Sequence, residues 1–128
     1  MSDFDVTPLI VEGRQLIHAY GGGGFRVAGR EYRGSIIVFP GSTLAWDVVD
    51  VAAITLNSLA PAVSTDPPAE VVLIGCGSRF VPQVPGISAS LREIGVALEW
   101  MDTGAACRTF NILLAEERRI AAALIAVD

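Results

Sequence analysis

A chain of 128 residues that is 52% hydrophobic and 18% charged is one domain with a real core, and disorder is excluded. Its net charge is −5 and its longest basic run is Arg118-Arg119, so the electrostatic footprint of nucleic-acid binding is missing and anionic membranes are disfavoured. All nine basic residues are arginine and His18 is the one histidine, which excludes lysine chemistry and P-loops and forces any Ser-His-Asp triad through His18.

In chain order, residues 1 to 15 start acidic and are broken by Pro8 and Gly13. They read as an exposed lead-in, not as a secretory signal or transit peptide. Residues 16 to 20 predict a short strand, and residues 21 to 24, all glycine, a turn. Without a following Gly-Lys-Ser/Thr that glycine run reads as a hairpin tip and not a phosphate loop. Phe25-Arg26-Val27 and Glu31-Tyr32-Arg33 predict two more strands around a turn at Gly29. Residues 35 to 39 form a β-branched strand stopped by Pro40-Gly41, and residues 44 to 47 another, so the N-terminal third reads as a β-meander.

Val51, Ile54, Thr55 and Leu59 have near-helical spacing and predict a helix over 51 to 59, ended by Pro61. Pro67-Pro68 mark a surface loop. Val71-Val72-Leu73-Ile74 is a continuous apolar run, as in a strand covered on both faces. Residues 88 to 94 predict a short helix capped by Ser88 after Pro85-Gly86 and closed by Gly95, and residues 96 to 101 a strand. Strand, helix, strand, helix, strand from residue 71 onward implies a largely parallel sheet with helices on its faces.

At about 100° per residue, Ala106, Phe110, Leu113 and Leu114 share one helix face, with Cys107 and Asn111 beside it and Arg108 opposite. Extending that helix past Glu116 would drive Glu117 into the apolar face, so residues 119 to 127 read as a buried strand. The run Ala121-Ala122-Ala123 favours helix by propensity, and the residues alone leave this point open. The longest apolar run, residues 120 to 127, is too short for a membrane span; a soluble, cytoplasmic chain with no membrane insertion is expected, with Cys76 and Cys107 as free thiols. No metal-ligand spacing is present and no cofactor is called for.

Met101-Asp102-Thr103, the run Ala106-Cys107-Arg108-Thr109-Phe110-Asn111, Leu114 and Glu117-Arg118 resemble a small family of uncharacterised proteins. Its members include a mitochondrial complex I (NADH dehydrogenase) assembly factor and an adipogenesis-associated protein. Tyr20-Gly21, Phe25, Gly34-Ser35, Pro40 with Trp46, and Leu73-Ile74-Gly75-x-Gly77 fit the same resemblance. It implies a three-layer α/β fold with a central mixed five-stranded sheet, its last strand antiparallel to the rest. That decides for a final strand over residues 119 to 127. Threonine is common in the family where Cys76 stands here, which weakens any role for that side chain. No catalytic centre is inherited with the fold.

Several residues are site candidates. Gly75-Cys76-Gly77-Ser78-Arg79 follows a strand at its carboxyl end, the edge where open α/β sheets bind ligands. The glycines let backbone N–H groups approach an anion and Arg79 adds charge, although a tight turn asks for the same small residues. Asp102-Thr103 opens a helix at the same edge; Asp102 suits an N-cap, and Thr103 is expected to line a pocket with Gly75 and Gly77. Arg108 suits a carboxylate, or is a solvated arginine. Asn111 must find partners and is expected to tie the helix to a loop. Cys76 is a nucleophile or an inert thiol, and Cys107 is packing. The favoured reading is a non-catalytic binding or assembly module with protein partners. The alternative is a small-molecule or anion-binding protein or enzyme using Gly75, Cys76, Gly77, Arg79, Asp102, Thr103, Arg108 and Asn111. A homodimer through a strand edge or an aromatic patch fits either.

Overall fold

The computed structural model describes residues 13–81 and 86–128; residues 1–12 of the expected lead-in, and Pro85, lie outside them. Of the lead-in residues that are described, Gly13 is exposed and Arg14 half-buried, but Gln15 departs from the expectation. Gln15 is buried, donates its backbone N–H to Pro40 O at 3.0 Å and accepts from Thr43 Oγ1 at 2.6 Å.

The expected meander forms a sheet of its own. Strands β1 (Ile17–Gly21), β2 (Gly24–Val27) and β3 (Arg30–Arg33) pair antiparallel in that order. The second sheet takes β4 (Ile36–Val38), β5 (Thr43–Ala45), β6 (Val71–Gly75), β7 (Ala97–Met101) and β8 (Ile120–Leu124) in the order β5-β4-β8-β6-β7. Helices α1 (Leu56–Val63) and α2 (Ile87–Arg92) cover one face; α3 (Thr103–Ala115) and the small sheet cover the other. This is the expected three-layer α/β arrangement with a central mixed five-stranded sheet.

The antiparallel member, however, is not the final strand. β8 runs parallel to β6, as β7 does, and it is β4 that opposes its neighbours β5 and β8. Connectivity explains this. A helical crossover returns the chain to the same end of the sheet, so β6-α2-β7-α3-β8 keeps one direction. β4 is joined to β5 by a tight reversal closed by Phe39 N–H to Ser42 O at 2.7 Å, which turns the chain around.

Residues 120–124 form the central strand β8 and are buried throughout. Ala121, Ala123 and Ile125 face the α1 layer with Trp46, Ile54 and Leu59, while Ile120, Ala122 and Leu124 face Phe110 and Leu114 of α3. That period-two burial overrides the helix propensity of the three alanines. The preceding helix is stopped by Glu117 at φ 60°. Glu117 N–H reaches Leu114 O at 3.0 Å and Arg118 N–H reaches Leu113 O at 3.2 Å, the paired bonds of a Schellman ending.

Two expected helices are corrected. Residues 51 to 59 are not one helix. Val51–Ala53 is a 3-10 turn capped by Asp50, Ile54 is extended, and α1 starts afresh with Thr55 as N-cap in a reciprocal bond pair with Ser58. Pro61 lies inside α1 instead of ending it; the carbonyl it cannot serve belongs to exposed Asn57. Ser88 does not cap α2. Gly86, at φ 90°, holds the cap position, and Ser88 Oγ instead accepts from Trp100 Nε1 at 3.3 Å.

Candidate functional site

β6 and β7 pair in parallel with Gly75 opposite Met101, and Cys76 N–H donates to Met101 O at 2.8 Å. The turns near residues 75 and 102 therefore stand side by side at the carboxyl edge. Asp102 is extended (φ −66°, ψ 161°), and its Oδ1 accepts from Ala105 N–H at 2.8 Å. The carboxylate thus caps α3 and offsets one orphan donor of its first turn.

Thr103 is fully buried. Its N–H donates to Gly77 O at 2.9 Å; its hydroxyl accepts from Gly77 N–H at 3.0 Å and donates to Ile125 O at 2.7 Å. One side chain thereby joins the ends of β6, α3 and β8. Gly75 is pressed against it: a Cβ there would lie 3.0 Å from Thr103 Cα, Thr103 Oγ1 and Leu124 Cδ2. Gly77 sits at φ 109°, where a side chain is strained. The expected pocket between Gly75 and Thr103 is consequently filled by protein, and the two form a clasp.

The open space lies beside the clasp. A groove of about 410 Å³ runs between Cys76, Gly77, Ser78 and Arg79, the segment 49–51 and the chain end 125–128. Val49 in its lining is 79% exposed, and Phe80, outside the lining but next to Arg79 in the chain, is 58% exposed. Cys76 in its wall is buried, with Sγ 3.9 Å from Val81 O. Burial pushes its thiol upward, backbone hydrogen bonding at Val81 and Met101 pulls it back in part, and the Asp102 charge adds to the rise. Burial pushes Cys107 up to about 12, with Arg108 lowering it in part and Asp102 adding to the rise. Both thiols are free and protonated at neutral pH, so neither is an activated nucleophile.

Arg108 and Asn111 are not part of that groove. They line a second recess of about 370 Å³ between β1 and α3, with His18, Tyr20 and Cys107. Asn111 ties α3 to a strand, not to a loop. Its Oδ1 accepts from Ile17 N–H at 2.9 Å and its Nδ2 donates to Ile17 O at 2.8 Å, so the amide completes the edge of β1 as a neighbouring strand would. Arg108 is exposed, as its helix angle predicts. Sequence reasoning missed Val49, His18, Tyr20 and Gly104 as site residues. Gly104 carried a readable signal, because glycine in a helical pattern marks close approach.

Among the described residues, no group of three or more His, Cys, Asp or Glu could hold a metal, and no helix is long and apolar enough to cross a membrane. Fold and site together define a small three-layer α/β domain whose carboxyl edge is clasped shut beside an open groove. The chain belongs to the family described as protein of unknown function (DUF498/DUF598), whose model matches residues 17–125. It is 38% identical over 110 residues to the NADH dehydrogenase [ubiquinone] 1 alpha subcomplex assembly factor 3 of Xenopus tropicalis, covering 86% of this chain and 60% of that protein. The chain therefore spans about three-fifths of the length of that relative, and 63% of its Danio rerio counterpart. A crystal structure described as an outer membrane protein from Bartonella henselae superposes with TM-score 0.83 at 39% identity, over 91% of this chain and 98% of that one. A Mth938-like domain from Bordetella pertussis superposes with TM-score 0.76 at 31% identity, over 94% and 90%.

Proposed function

We propose that this chain is a non-catalytic, cytoplasmic binding module of the assembly-factor kind, which holds a protein partner in the groove at the carboxyl edge of its central sheet. One observation carries the reading. The polar groups nearest the edge, Asp102 and Thr103, are consumed in structural hydrogen bonds, while apolar Val49 and Phe80 and the guanidinium of Arg79 stand free for a partner. Arg79 is exposed and forms no ion pair among the described residues. An apolar anchor beside an unpaired arginine suits a partner segment that carries a hydrophobic side chain next to a carboxylate.

The assembly-factor relatives are named for NADH dehydrogenase, and by analogy the proposed partner is a subunit of a respiratory complex on its way to assembly. The test is quantitative co-purification with tagged chain from the cells that make it. Wild type is compared with a Val49→Asp, Phe80→Asp double variant and with Arg79→Glu, each checked for an unchanged melting temperature. Respiratory-complex subunits should be recovered with wild type and lost with both variants. Equal recovery from all three chains, or none from wild type, refutes the proposal.

A further inference from the structure

The recess between β1 and α3 plays no part in that reading, yet several independent features meet there. β1 carries a bulge: its register runs from Ile17 opposite Val27 directly to Ala19 opposite Arg26, which leaves His18 as the extra residue. Bulges re-aim side chains, and His18 lines the recess. Tyr20 is 43% exposed, but its hydroxyl end stands on the first turn of α3. A Cβ at position 104 would collide with Tyr20 Oη and come within 3.4 Å of Arg108 Nη1, so Gly104 is what lets phenol and guanidinium share that spot.

Arg108 is exposed and has no ion pair among the described residues. Asn111 is spent on Ile17 and serves as wall, and buried Ile17 and Cys107 supply an apolar floor. The nearby Asp102 carboxylate is committed to Ala105 N–H. The volume of about 370 Å³ falls in the range of small-molecule sites.

We infer that this recess binds a small carboxylate. Arg108 takes the carboxylate with its planar fork, the Tyr20 hydroxyl and the His18 imidazole hydrogen-bond its oxygens or an adjoining polar atom, and its carbon skeleton lies against Ile17 and Cys107. One permanent cation in a chain of net charge −5 balances a singly charged ligand. A phosphate would bring a second charge with no fixed partner.

The experiment is a titration of isotope-labelled chain, followed by amide chemical shifts, with acetate, benzoate, a short 2-oxo acid and inorganic phosphate as probes. At least one carboxylate should shift amides of β1 and of residues 104–111 saturably, and phosphate should bind more weakly. Arg108→Gln should weaken the carboxylate about tenfold or more, the loss expected for a charge-assisted bond, and Tyr20→Phe and His18→Ala by less. Arg79→Gln should leave binding unchanged, so this site and the groove proposed for a protein partner fail separately. No saturable shift with any carboxylate at millimolar concentration overturns the inference. So does phosphate binding as tight as the best carboxylate, or full binding by Arg108→Gln with an intact fold.

Discussion

Replacing Thr103 by valine removes one hydroxyl, keeps the side-chain shape, and asks whether the clasp is structural. The hydroxyl makes two bonds, accepting from Gly77 N–H at 3.0 Å and donating to Ile125 O at 2.7 Å, from a side chain with no exposure. Ile125 O would be left buried without a partner, which costs about 1–3 kcal/mol. Gly77 N–H is only half-buried, and water can recover part of its bond, for a further loss of about 1 kcal/mol. The expected destabilisation is therefore about 2–4 kcal/mol, or a melting temperature lower by roughly 10 °C for a domain of this size. Thr103→Ser keeps both bonds and loses one methyl, at about 1 kcal/mol. Urea denaturation of the three proteins reads the difference as midpoint shifts at constant slope. Valine as stable as serine, or both close to wild type, would refute the clasp.

Three other substitutions test separate contacts. Asn111→Ala removes both bonds to Ile17, so stability should fall by about 1–3 kcal/mol, and hydrogen exchange should show Ile17 N–H losing protection before the other β1 amides. Glu117→Gly should stabilise by up to about 1 kcal/mol, because Glu117 holds φ 60° at a helix ending where glycine has no Cβ penalty; a lower melting temperature would contradict this. The Cys107 thiol, raised from 9.0 to about 12 by burial, keeps its proton longer in the folded state than in the unfolded one. Its contribution is complete below pH 9 and is lost as pH rises toward 12, so between pH 8 and 10 wild type should lose about 1 kcal/mol more than Cys107→Ala, as read from urea midpoints.

The alternation from residue 71 to the end was legible because two local signals agreed there. Continuous apolar runs mark strands covered on both faces, and capped amphipathic segments mark the helices between them. The side-by-side turns near 75 and 102 follow from that alternation, since parallel neighbours put their carboxyl ends at one edge. What failed has a common cause. The spacing of Val51, Ile54 and Leu59 was real, but Ile54 is buried in an extended conformation so that Thr55 can begin a new helix. The direction of β4 depends on which strand becomes its neighbour, and β8, more than eighty positions away, takes that place. The space between Gly75 and Thr103 is filled for the same reason, while Cys76, Gly77 and Arg79 of the candidate set line the groove beside it. That the Thr103 hydroxyl spans Gly77 and Ile125 is a matter of tertiary distance, and nothing local to Asp102-Thr103 records it.

The clasp also bears on where this fold can bind. After β6 the chain crosses through α2 to β7 on one side, then through α3 to β8 on the other, with α2 and α3 on opposite faces. The crevice between the ends of β6 and β8 is thus the switch point, where open α/β sheets usually take a ligand. Here Thr103 fills it with a hydroxyl whose donor and acceptor capacities are both used. A ligand seated there would have to break bonds to main-chain groups of two strands before making any of its own. The openings therefore lie to either side of the plug. On the α1 side an apolar rim and Arg79 flank an open groove; on the α3 side Arg108 and Tyr20 face a recess the helix shares with β1. If Thr103→Val weakened binding at either place without lowering stability, the hydroxyl would be a ligand contact and not a plug.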